Sequence, residues 1–257
     1  MSTLLLALRE ARYDNRAFWR NPASAFFTVI FPLMFLVIFN VVFGDNQFEV
    51  QGGKVDPSTF YVPGIVALSI INACYTNIAW SIVAARDDLV LKRVRSTPLP
   101  TLSFLAGRII QAVWVAIILV VLVVGSGVLF YGVHVSADRL PAFVFTLVVG
   151  AAAFCALGMA LSSFVPNADA APAVINGSIF PLLFISNVFI PTSNAPGWLN
   201  DFASFFPVVH LANALHQSFN PFVSGNGFEA KDLAVIAAWG IFGVIISIRY
   251  FRWEPRH

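Results

Sequence analysis

The densest run of charge in this chain is R-D-D-L-V-L-K-R-V-R-S-T-P-L-P, from Arg86 to Pro100, set between two long apolar stretches. Asp88 and Lys92 stand at i and i+4 in the order that favours a short helix, and Pro98 and Pro100 end that helix before the next apolar run. The segment offers charge to a soluble surface but has no activated nucleophile, so its chemistry is docking. Other reactive side chains point no more strongly to catalysis. His210 and His216 are six apart, about 240° around a helix, which is not the i, i+4 spacing of a helical metal pair. Cys74 and Cys155 sit singly in apolar runs, with no CxxC and no His/Cys cluster, and read as small packing residues. No metal site and no convergent nucleophile or acid–base set is expected.

The elements that must position the charged run follow from composition. In 257 residues, 58% are hydrophobic and only 11% charged, and the mean hydropathy is +0.81. That is too little charge to clothe a soluble globule, so the chain belongs in a bilayer. The net charge of +2 reflects arginines placed around spans and gives no support to nucleic-acid binding. Six segments are long enough to cross about 30 Å of hydrocarbon: 24–43, 60–83, 109–131, 140–164, 171–191 and 233–251. Their interiors lack Asp, Glu, Lys and Arg except for Arg249 near the end of the last. Leu119 and Val144 are expected to face lipid. The predicted fold is an all-α integral membrane protein forming one domain over 1–257.

Basic residues orient it. With a cytoplasmic N-terminus, 12 of the 15 Lys and Arg fall inside, and only Lys54, Arg139 and Lys231 fall outside. Both termini, and the 86–108 segment, are therefore expected in the cytoplasm. Within residues 1–20, Arg9, Arg12, Arg16 and Arg20 share an arc of about 80° on a helical wheel, and Leu4, Leu8, Ala11 and Phe18 share another. This pattern predicts an interfacial helix on inner-leaflet lipid. Ser24 to Phe43 is full length and five further spans follow it, which favours a first span over a cleavable signal.

Two absences narrow the transport class. The spans carry no acidic residue near the midplane, where an ion-coupled transporter keeps one. No G-x-x-x-x-G-K-[ST] loop occurs either, so if the chain pumps, another polypeptide hydrolyses the ATP.

The charged run resembles the cytoplasmic motif of type 2 ATP-binding-cassette (ABC) permeases, whose usual form is E-R-E-x-G-T-L-K-R-L-R-x-T-P-L-P. Arg86, Leu91, Lys92, Arg93, Arg95, Thr97, Pro98, Leu99 and Pro100 match, while Leu89 and Val90 replace the usual Gly-Thr pair. The resemblance implies a coupling helix over 86–95, between spans 2 and 3, with Arg86, Asp87, Asp88, Leu91, Lys92, Arg93 and Arg95 meeting an ATPase. It also implies an N-terminal interfacial helix, six spans and an outer segment, here 192–230, that dips into the membrane before span 6. The Val208 to Phe219 run there is too short, and too punctuated by His210, Asn213, His216 and Gln217, to span alone. The expected assembly pairs two such permeases, as a homodimer or with a related chain, with two ABC ATPase subunits. ATP and Mg²⁺ stay on the ATPase, and this chain binds no cofactor of its own. The expected location is a bacterial cytoplasmic membrane. A lipophilic or amphipathic drug or antibiotic is the expected cargo, exported outward; a lipid or polysaccharide precursor is the alternative, and a stand-alone channel or facilitator is a rival without need of a coupling platform.

Uncharged polar residues within spans are the path candidates. Asn72, Tyr75, Asn77 and Trp80 recur at helical spacing in span 2 and are expected on one side. Asn176-Gly177-Ser178 matches a glycosylation sequon, but inside a span it reads as helix loosening. Gly177 and Pro181 weaken the ladder, and Asn176, Ser178, Ser186 and Asn187 can satisfy freed backbone groups. Asn72, Asn77, Asn176 and Asn187 are expected to face a shared cavity at the dimer interface.

Overall fold

The protein is described from a computed structural model that covers residues 3–44, 46–50, 52–96, 101–191, 195–223 and 225–251. Helix α1 (Thr3–Arg20) leads into α2 (Pro22–Phe43), and a small antiparallel hairpin of β1 (Phe48–Val50) and β2 (Gly53–Val55) follows. A long helix then runs from Pro57 to Asp87 as α3 (Pro57–Ile70), a π-helical stretch (Ile71–Thr76) and α4 (Asn77–Asp87). Next come α5 (Val90–Arg95), α6 (Thr101–Tyr131), α7 (Leu140–Ser162) and α8 (Ala171–Phe184). Helices α9 (Gly197–Ala203), α10 (Pro207–Phe219) and α11 (Ala230–Tyr250) complete the order.

Five helices are long and apolar enough to cross a membrane, and α8 is a shorter apolar one. Helix α6, with 31 residues, is about 46 Å long, so it outreaches the hydrocarbon layer. The 57–87 helix is the hub. It is apolar all round, and 72% of its spanning window is buried inside the protein against 11% for α2. It is wrapped by α2, α6, α7 and α10, while α11 packs along α7. Small residues set that last spacing: a Cβ at Gly243 would stand 2.9 Å from the Ala156 carbonyl carbon.

The architecture is all-helical, with one small addition: Phe48 to Val55 pair as a hairpin whose Phe48 ring stacks on Phe60 at 5.0 Å. Two expectations are corrected. The helix expected over 171–191 ends at Phe184. Pro181 lies in its last turn, and Asn187 takes a left-handed φ of 59° that ends the ladder. Leu119 is buried at 1% exposure, whereas Val144 is exposed.

Helix α1 lies along α6 through Ala7, Ala11 and Phe18, leaving Arg9, Arg12, Arg16 and Arg20 exposed. Within the expected outer segment, α9 and α10 are two short helices joined by Ser204 to Phe206. The Trp239 indole donates to the Phe205 carbonyl at 2.9 Å, fixing that corner against α11. Residues 192–194, at the start of the segment, lie outside the described residues.

Candidate functional site

The charged run does not form one helix. Helix α4 ends at Asp87, Asp88 and Leu89 turn, and α5 begins at Val90. Leu89 occupies the left-handed region at φ 58°, a conformation costing a β-carbon-bearing residue roughly 1–2 kcal/mol. Leu89 is the position where the resembling motif has glycine, the residue that adopts this backbone freely. The break also separates Asp88 from Lys92, so they are not an i, i+4 pair on one helix.

The break sorts the expected coupling residues into two groups. Asp88, Lys92 and Arg93 are exposed, as is Ser96, whose hydroxyl closes α5 by donating to the Arg93 carbonyl at 2.7 Å. Arg95 ends α5 with its side chain outside the described residues, where Thr97, Pro98, Leu99 and Pro100 also lie. Leu91 turns inward and is fully buried. Arg86 is buried at 1% exposure, so it does not face a partner. Its guanidinium donates to the carbonyls of Ser162 at 3.0 Å, Val165 at 2.6 Å and Pro166 at 3.4 Å. These carbonyls at and beyond the C-terminus of α7 have no partner within the helix and carry the negative end of its dipole, so a buried cation is stabilised there. Asp87 accepts from the Ala168 amide in the same α7–α8 turn. The platform is thus tied to the α7–α8 turn at two adjacent residues.

The path candidates do not share one cavity. The π stretch places Tyr75 toward α8, where its hydroxyl meets the Ser178 hydroxyl at 2.7 Å. Both line an apolar cavity of about 310 Å³ with Phe154, Leu182, Phe206 and Trp239. Gly158 admits this packing, since a Cβ there would sit 2.6 Å from the Tyr75 carbonyl oxygen. Asn72, Thr76, Asn77 and Trp80 instead line a cavity of about 450 Å³ against Phe27 and Phe31 of α2. Asn187 belongs to a third, of about 540 Å³, with Glu49, Asn213, His216, Glu229 and Asp232. Asn176 is half-buried on α8 and lines none of these. Within one subunit these residues do not converge, because the π stretch re-aims span 2 and Asn187 lies beyond the break in α8.

In and beside the third cavity lie polar contacts that the sequence does not announce. His210 Nδ1 is 2.6 Å from an Asp232 carboxylate oxygen, and its Nε2 is 2.8 Å from the Ser204 carbonyl oxygen. His216 Nε2 is 3.0 Å from the Asn187 carbonyl oxygen, and Asn187 donates to Asn213 Oδ1 at 3.3 Å, so α10 holds the break after α8. Arg139 was read only as one of three outer cations. It is buried at 9% exposure and donates to the carbonyls of Gln217, Asn220 and Val223 at the end of α10. A lone arginine directly before a long apolar run was the available signal. Among the described residues, no group of three or more His, Cys, Asp or Glu gathers as a metal site.

Comparison with known proteins places the chain. Residues 7–220 match the family described as ABC-2 type transporter. The chain is 22% identical over 222 residues to the inner membrane transport permease YadH of Escherichia coli K12, covering 86% of this chain and 82% of that one. It is 25% identical over 260 residues to the daunorubicin resistance ABC transporter permease protein DrrB1 of Streptomyces coeruleorubidus, covering 94% and 84%. It is 23% identical over 166 residues to the probable multidrug ABC transporter permease YbhR of E. coli K12, covering 65% and 45%. With its apolar helices, hub span and matched length, the chain belongs to the ABC-2 type transporter family, as a multi-pass permease subunit that works with separate ABC ATPase subunits.

Proposed function

We propose that this chain is the membrane half of an exporter that moves a lipophilic or amphipathic compound outward, driven by two ATPase subunits acting on two permeases. The observation that carries the reading is the construction of α5. Its exposed Lys92 and Arg93, with Asp88 in the turn before it, offer charge to a partner, while Leu91 is buried and the neighbouring Arg86 and Asp87 anchor the turn to the α7–α8 connection. A push on α5 then moves the start of α8, and α8 carries Ser178 of the apolar cavity. Helix α8 and the turn after it form a sixth, broken span, and both termini and α5 lie in the cytoplasm of a bacterial inner membrane.

The cargo class rests on the cavity that Tyr75 and Ser178 share, which is mostly apolar with one hydroxyl pair, and on relatives named for daunorubicin and multidrug resistance. A second copy completes the path, because Asn72 and Asn77 line a cavity against α2, the least buried of the spanning helices. The test is charge reversal of Lys92 and Arg93 together. Export and ATPase capture should fall together while membrane insertion is unchanged; undiminished capture and export would overturn α5 as the docking element.

A further inference from the structure

A fourth cavity, of about 330 Å³, lies where α1, the end of α4, the start of α5 and the start of α6 meet, and Asp14, Asn77, Asp88, Arg108 and Gln111 supply its polar lining. Asp14 Oδ2 and Arg108 Nε are both buried, and neither has a hydrogen-bond partner among the described residues. The two side chains line the same space but are not in ion-pair contact, and the Arg108 guanidinium rests over the Phe104 ring at 4.7 Å. Burial pushes the Asp14 carboxyl up from its ordinary value, and the positive charge of Arg108 opposes that. Asp14 and Arg108 are each partly buried, with Glu10 a second carboxylate near the guanidinium, and partly desolvated opposite charges that do not pair directly complement a group carrying both charges.

The depth of the cavity narrows the ligand. Helix α1 presents Arg9, Arg12, Arg16 and Arg20 on its exposed side, as a helix at headgroup level does. Trp114, about one turn from Gln111 along α6, is exposed, as a tryptophan at a membrane–water interface is. We propose that this cavity binds the headgroup of an inner-leaflet aminophospholipid, its phosphate at Arg108 and its primary ammonium at Asp14 and Asp88. Because Asp88 and Val90 border the cavity, the bound headgroup touches the turn into α5, and lipid occupancy and coupling-helix position are linked. The inference rests on the cytoplasmic placement of α1 and α5 proposed above.

The test is native mass spectrometry of the full-length permease after detergent delipidation, with equal amounts of phosphatidylethanolamine, phosphatidylglycerol and phosphatidylcholine supplied. Wild type should retain phosphatidylethanolamine in preference to the other two. Arg108→Gln should weaken retention about ten- to hundredfold, the equivalent of one or two hydrogen bonds to a charged group. Asp14→Asn should keep phosphate binding and lose the preference for phosphatidylethanolamine over phosphatidylglycerol. Arg12→Gln, on the exposed face of α1, should change neither. Ala84→Leu, which fills the cavity and leaves its charges in place, should also expel the lipid, so a misfolded charge variant does not decide the result. Equal retention in wild type, Arg108→Gln and Ala84→Leu would overturn the site. Displacement of the lipid by an equal concentration of glycerophosphoethanolamine would assign the cavity to a soluble zwitterion instead and overturn the lipid proposal. The readout involves neither ATPase nor export, so a permease that exports normally but holds no lipid refutes the site alone. One that holds lipid but does not export refutes the proposed function alone.

Discussion

Replacing Arg86 is the sharpest test of how the platform is held. In Arg86→Ala the carbonyls of Ser162 and Val165 lose donors at 3.0 and 2.6 Å in a place closed to water. Hydrogen bonds from a charged donor contribute about 1.5–3 kcal/mol each, and removing one partner of a buried ionic contact costs about 3–5 kcal/mol. The expected loss is therefore ~3–5 kcal/mol. For a chain of this size 1 kcal/mol corresponds to about 2–4 °C in Tm, so the midpoint of thermal aggregation in detergent should fall by about 6–20 °C. Arg86→Lys keeps the charge but not the forked donor set, and should lose roughly half as much. Arg93→Ala, exposed one turn away, should stay within about 0.5 kcal/mol of wild type. An Arg86→Ala midpoint within about 2 °C of wild type, or no lower than that of Arg93→Ala, would refute the clamp.

Leu89→Gly should stabilise the α4–α5 turn by about 0.5–1 kcal/mol, since it relieves the left-handed strain at the expense of some unfolded-chain entropy; a lower Tm would show that the Leu89 side chain matters more than its backbone. Tyr75→Phe and Ser178→Ala remove the same hydrogen bond, so the double variant should change cargo preference no more than either single one. Additive effects in a drug-accumulation assay would mean that the two hydroxyls act separately. Because the Asp14 carboxyl titrates above its ordinary value of 3.8 in the fold, the native state takes up the proton more tightly than the unfolded chain. Stability from this group is greatest below pH 3.8 and declines as pH rises through the folded value. In lipid-free detergent Asp14→Asn should therefore be at least as stable as wild type at pH 7, and a clear loss would show that the Asp14 charge is favourable where it stands. Single cysteines introduced at Ala168 and Ala137 in a cysteine-free background should be protected from and reactive toward an impermeant thiol reagent in intact cells, respectively, and the reverse pattern would invert the proposed topology.

The sequence displayed the elements far better than it displayed their faces. Apolar runs and arginine placement are summed over many residues, so spans near 24–43, 60–83, 140–164 and 233–251 were legible within a few residues, and 109–131 in its end but not its start, since α6 begins at Thr101. The break after Phe184 was half legible. Gly177 and Pro181 signalled weakness, but the left-handed turn at Asn187 depends on Asn213 and His216, contacts 26 and 29 residues away in the chain. The π stretch from Ile71 to Thr76 leaves no mark in an apolar run, because the packing of Gly158 on the Tyr75 carbonyl goes with it. Asn72 and Tyr75 were therefore placed on one side when they serve two. The hairpin at Phe48 to Val55 was missed because three-residue strands are too short to show a period of two.

The charged run misled in a more useful way. In the sequence Arg86 reads as charge offered to a partner and Arg139 as an orientation signal, yet the two, 53 positions apart, each donate to carbonyls at and beyond the end of a helix within the chain. One guanidinium serves the C-terminal end of α7, and the other, immediately before α7 begins, holds the end of α10. Helix α7 is about 34 Å long over its 23 residues, and it is thus strapped to α4 at one end and, at the other, to the wall of the polar cavity that Gln217 and Asn220 line. An arginine can do this where a lysine cannot, because its planar fork reaches several carbonyls while the charge stays fixed. Within the proposed exporter, a displacement delivered at α5 meets a rigid helix with a tight joint at each end. Arg139→Lys should then loosen the outer joint alone, lowering export per ATP hydrolysed while ATPase capture at α5 is unchanged. If capture and export fell together, the outer clamp would be supporting the fold rather than relaying motion.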